Sequence, residues 1–153
     1  MNAGMVFVII FAIVVMGLVL VFGANQIINI FCFANDAQTS KTIKDLKTEV
    51  DNLYILSEGS SKLFDLLIPS DAEFCFVNPS SPEANPMKGW KPDPVVLSFI
   101  TENDYNLWYT HCSGKNGYNI AHLMPPENFC VKSGTTLYME NKGMYVEITE
   151  LAV

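Results

Sequence analysis

The chain contains no arginine: its nine basic residues are all lysine, against 16 acidic ones, for a formal net charge of −7. With no basic stripe to neutralise phosphates, nucleic acid is not an expected partner. There is no charge of either sign before Asp36 and no proline before Pro69. The first absence excludes an ordinary water-exposed N-terminal segment. The second leaves no residue there that must break a helix. None of the four cysteines sits in a Cys-x-x-Cys pair, so neither a zinc nor a dithiol redox motif is present. A phosphate-cradling glycine loop, Gly-x-Ser-x-Gly, His-Glu-x-x-His and paired carboxylate motifs are also missing. No grouping of nucleophile, base and orienting residue is visible, so neither catalysis nor a cofactor or metal is expected. The one Asn-x-Ser/Thr is Asn78-Pro79-Ser80, where proline forbids glycosylation.

In place of these the chain has a long apolar start. Met5 to Phe22, "MVFVIIFAIVVMGLVLVF", is 18 apolar residues interrupted only by Gly17. That length crosses a hydrocarbon core of about 30 Å at 1.5 Å per residue. A cleavable signal peptide has a basic start, a shorter apolar core and a small-residue cleavage site; this segment has none of them, so a retained helix is expected. The stretch that follows, "FGANQIINIFCFAND", signals an exit at Gly23, Asn25 and Gln26 and then turns apolar again. A helix from Met5 to Asn35 measures about 46 Å and overshoots the bilayer core by roughly ten residues. A lone anchor gains nothing from that excess. Tilting is one remedy, and packing of Ile27, Ile30 and Phe31 on the chain's own β-domain is another. The third is burial against copies of the same helix, through Phe7, Phe11, Gly17, Gly23, Ile27, Ile30 and Phe31, with the glycines allowing close approach.

Ile43, Leu46, Val50 and Leu53 are spaced three, four, three, which predicts one buried stripe on a helix. Asn35 with Gln38 offers a capping box for a separate helix. The lack of proline favours a single continuous one, ending at "SEGSS" with Gly59 as breaker. From Ser61 short aromatic and branched runs take over: "KLFDLLIP", "AEFCFVNP", "NLWYTHC", "GYNIAHL", "NFCVK", "GTTLYMEN", "MYVEITEL". They predict an antiparallel β-domain. "MENKGMYVEI" reads as a hairpin turning at Asn141-Lys142-Gly143, with Val146 and Ile148 packed and Tyr145, Glu147 and Thr149 wet. Residues 78–94 form a proline-rich loop, and Asp93-Pro94 reads as the cap and first residue of a short helix, "PVVLSFITE". The expected fold class is α+β: a transmembrane-type helix over 1–24, a helical spacer over 25–58 and a β head over 59–153.

Cys75 and Cys130 each lie in an apolar strand-like run, and side by side such strands place their thiols within bonding reach. The expected Cys75–Cys130 disulfide implies an oxidising compartment. Lys41, Lys44 and Lys47 lean the other way, towards an internal flank, and are overruled on the cysteines. Cys32, on the long helix and far in sequence from Cys112, is expected to be a free buried thiol, with Cys112 free or exposed. Adjacent His111 and Cys112 point to opposite faces of a strand, which argues against a catalytic pair. Trp108 is expected in the core and Trp90, in the proline loop, at a partner contact.

A long N-terminal helix with a β-domain carried outside resembles the plan of a type IV pilin, whose helices form a filament core. No basic residue precedes the apolar run, and Ile9 stands where bacterial pilins have an early glutamate; the first departure loses its weight if Met1 is a processed start. The wording of "VLVFGANQIINI", "IKDLKTEVDNLYILSEGSS", "IPSDAEFCFVNP" and "FCVKSGTTLYMENKGMYVEI" is similar to a group of membrane-anchored surface proteins of small-genome archaea. These resemblances imply a cell-surface, membrane-anchored chain that partners copies of itself in a filament, or a singly anchored binding module, and supply no activity.

Overall fold

The computed structural model describes residues 3–82, 93–111 and 114–151. It is α+β, as the sequence predicts. Helix α1 is continuous over Ala3–Tyr54. The chain divides into two compact units, Met1–Asn35 and Asp36–Val153. In the first unit every described side chain from Gly4 to Phe22 is exposed.

The second unit contains the C-terminal turns of α1 and everything after it. Strands β1 (Ser61–Asp65) and β2 (Glu73–Phe76) are followed by helix α2 (Pro94–Asn103). Then come β3 (Leu107–His111), β4 (Gly114–Tyr118), β5 (Leu123–Met124), β6 (Phe129–Lys132), β7 (Thr136–Asn141) and β8 (Val146–Glu150). They build two four-stranded sheets, ordered β1-β7-β8-β5 and β4-β3-β2-β6. Every pairing is antiparallel except the two-residue match of β5 to β8.

The predicted stripe holds. Ile43, Leu46, Val50 and Leu53 of α1 are buried in one cluster with Leu137, Met139, Val146 and Ile148 of the first sheet. Phe74, Phe76, Leu107, Tyr109 and Val131 join it from the second. Strand β2 is apolar on both faces, because both are covered. Phe74 and Phe76 enter the main cluster. Cys75 and Val77 point the other way, to Trp108 and to Val96 and Ile100 of α2. That helix begins as its sequence predicts: the Asp93 carboxylate accepts from the Val95 amide at 3.0 Å, and Pro94 opens the first turn.

The end of α1 is settled by a residue 87 positions away. The Asn141 amide nitrogen lies 2.9–3.0 Å from the carbonyls of Leu53, Tyr54 and Leu56, and shares its two N–H groups among them. Its carbonyl oxygen accepts from the Gly143 amide at 2.7 Å, which closes the β7–β8 turn where Gly143 takes φ +84°. Its backbone pairs with Gly59 and Ser60. No basic residue stands in the last turn of α1 to satisfy those carbonyls, so this buried side chain replaces the usual cap. Asn141→Ala strands three carbonyls and one amide in a site 1 % exposed. The expected loss is about 2–3 kcal/mol, read as a lower urea midpoint of the full chain in mild detergent.

One predicted run is largely not a strand. In "GYNIAHL" the ladder stops at Tyr118, and His122 takes φ +64°. The buried Asn106 side chain occupies the backbone of that loop: it accepts from the Ile120 amide at 2.8 Å and donates to the Ile120 and Leu123 carbonyls at 2.7 and 2.8 Å. An amide side chain thus stands in for a neighbouring strand.

Candidate assembly and binding surfaces

The first unit carries the candidate assembly surface. Its segment Gly4–Gly23 is long and apolar enough to cross a membrane, with mean hydropathy 3.3 and none of it buried. By length and composition alone, a membrane anchor and a signal sequence share those properties. Phe7 and Phe11 are 71 and 62 % exposed. Past the span, where an anchor has no further use for apolar surface, Ile27, Ile30, Phe31 and Phe33 are still 56–76 % exposed. Around Gly17 and Gly23 an added Cβ would meet nothing within 4 Å. Neither glycine answers a demand of packing among the described residues, although each costs about 1 kcal/mol of helix propensity relative to alanine.

In the second unit Cys75 and Cys130 face each other across the β2–β6 pairing and are bonded, with Cα atoms 4.0 Å apart. Glu73 brings its carboxylate to within 4.8 Å of both sulfurs, a spacing that suits a metal ion. The two sulfurs are spent on each other, so they are not thiolate ligands. Cys32 corrects the sequence expectation. It is disulfide-bonded, not a free thiol, and it is half-buried. That expectation leaned on separation along the chain, which loop-closure entropy penalises only logarithmically. Cys112, the His111 side chain and Trp90 with its proposed contact lie outside the described residues.

Trp108 is a core residue, 5 % exposed against Cys75, Val77, Val96 and Ile100, and its indole N–H has no partner among the described residues. His122 is more than a loop residue. Its imidazole stacks on the Tyr54 ring with centroids 3.7 Å apart and planes 7° from parallel, at the end of α1. Nothing in the sequence signals that contact, because it joins residues brought together only by the hairpin. Burial raises the Tyr109 phenol above its ordinary 10.0, with the neighbouring Tyr118 adding to the effect.

On the outer side of the hairpin, Lys142 reaches Glu140 at 2.8 Å and Glu147 at 3.8 Å. The hydrogen bond from Lys142 holds the Glu140 carboxyl below its ordinary 4.5. A carboxyl depressed on folding adds stability above its ordinary range and loses it as pH falls through the folded value. The pair is exposed, so the contribution is small. NMR titration of Glu140 is expected to give a midpoint below 4.5 that rises in Lys142→Met.

No protein-family model, curated protein or solved structure matches this chain.

Proposed function

We propose that this chain is a pilin-like structural or adhesive subunit of a cell surface. It is anchored in a membrane before assembly, and joins copies of itself through the N-terminal part of α1, with the β-domain displayed outside. One observation carries the reading: the exposed, charge-free apolar surface continues past Gly23, to Phe33. Lipid accounts for the 20 residues of Gly4–Gly23, and burial against protein accounts for the apolar surface beyond them. Gly17 and Gly23, which answer no contact among the described residues, suit close helix–helix approach in such a bundle. The Cys75–Cys130 bond fits a domain that matures in an oxidising compartment. The chain is read as non-catalytic.

The second reading is a singly anchored extracellular binding module or accessory subunit of a membrane complex. It is favoured by the buried core of the second unit, which is built from residues of that unit alone. Electron microscopy of material sheared from cells, with antibody against the β-domain, separates the two. Labelled filaments are the expected result. Chain found solely as monomers in detergent extracts supports the anchored module.

A further inference from the structure

Three of the nine lysines, Lys41, Lys44 and Lys47, fall within two turns of α1. Two of them, Lys44 and Lys47, line one cavity of about 280 Å³ together with Ser40, Ile43, Tyr118, Asn119 and Ile120. No carboxylate is among those lining residues. Its apolar side is dry: Ile43 and Ile120 are 5 and 1 % exposed. The Tyr118 ring is 40 % exposed and is held in place by stacking on Tyr109, with centroids 6.1 Å apart.

The two ammonium groups, like those of Lys41, Lys115 and Lys132, are in no ion pair among the described residues. Lys62 and Lys142, by contrast, are ion-paired, to Glu49 and to Glu140 and Glu147. Like charges three positions apart on a helix repel. Asp45, Glu49 and Asp51 share this stretch of helix, and none of them lines the cavity. Two cations beside a concave, partly aliphatic surface give it a positive field that favours a bound anion.

We propose that this cavity binds a carboxylated sugar, a uronate unit of an acidic polysaccharide. Lys44 and Lys47 take the carboxylate by charge-assisted hydrogen bonds. The Ser40 hydroxyl and the Asn119 amide bond the ring hydroxyls. The C–H face of the pyranose lies on Tyr118 and the two isoleucines, as apolar ligand faces do on aromatic rings. The volume lies just below that of ordinary ligand pockets, which run from about 300 to 1,000 Å³, and suits no more than one sugar ring. Inorganic phosphate or sulfate would engage the lysines and leave the tyrosine and isoleucines unused. The site is independent of assembly through α1: a chain that forms no filament binds the sugar equally well.

The test is calorimetric titration of the full chain in detergent micelles with a galacturonate trisaccharide, a neutral galactose trisaccharide, inorganic phosphate and sulfate. The expected result is binding of the galacturonate alone, weakening with salt. Lys44→Gln/Lys47→Gln and Tyr118→Ala should each weaken it on the order of tenfold. Lys142→Gln should leave it unchanged, and Lys44→Arg/Lys47→Arg, which keeps both charges, should retain it. The proposal is overturned by no heat with galacturonate, by equal affinity for the neutral sugar, or by phosphate or sulfate binding as tightly. It is also overturned if the double glutamine variant, with an unchanged urea midpoint, binds as the parent does.

Discussion

Replacing both Cys75 and Cys130 by alanine is expected to lower the stability of the β-domain by about 4 kcal/mol. The bond closes a loop with a sequence separation of 55. Most of its effect in the loop-entropy model is on the unfolded chain, which loses the freedom to separate those ends. A small domain has total stability of order 5 kcal/mol, so the variant should sit close to its unfolding midpoint at growth temperature. Local packing sharpens the expectation. Both sulfurs belong to the face of the second sheet that α2 covers, where Cys75 packs with Val77, Val96, Ile100 and Trp108. Losing the crosslink therefore loosens α2 as well as the β2–β6 pair. Urea unfolding followed by tryptophan fluorescence checks this, since Trp108 lies in that cluster. The expected signature is a lower midpoint and earlier loss of α2 protection in amide exchange. A midpoint unchanged within error would mean that the unfolded state is already held compact without the bond.

The elements that the sequence announces are those whose cause is local. The stripe of Ile43, Leu46, Val50 and Leu53 follows from helical period, the start of α2 from Asp93-Pro94, and the β7–β8 turn from Asn141-Lys142-Gly143. Even the disulfide was legible, because an apolar run on each side of Cys75 and Cys130 marks two strands, and these pair directly. What the sequence conceals is long-range. Asn141 reads as a turn residue, and only the folded chain shows it closing the end of α1. Asn106 reads as the polar residue before a strand, yet its amide holds a loop at Ile120 and Leu123. The parallel match of β5 to β8 has no local signature, because two residues are too few for a periodicity. Cys32 shows the same limit, since its bond depends on proximity in space.

The candidate assembly surface was legible for a different reason. Exposure on a long helix needs no tertiary knowledge when nothing in the sequence is charged, and the structure leaves Phe7, Phe11, Ile27, Ile30 and Phe31 uncovered. The sugar pocket was not. Lys44 and Lys47 read as part of a charged helix face, and Tyr118 and Asn119 as part of a strand; only folding sets them around one cavity.

In the proposed reading, the apolar surface beyond the membrane-length segment is an interface between copies of this chain. The most direct measurement is filament assembly by Ile27→Glu/Phe31→Glu. The two positions are one helical turn apart, 56 and 66 % exposed, and lie outside the Gly4–Gly23 segment. Insertion of the span and folding of the β-domain should therefore be unaffected. Burying an unpaired carboxylate costs several kcal/mol at each position, and every subunit contact in a bundle repeats that cost. The variant is expected to be membrane-bound and folded, by fractionation and by an unchanged urea midpoint, while filaments disappear from micrographs of sheared material. Filaments as abundant as those of the parent chain, carrying both glutamates, would contradict that reading.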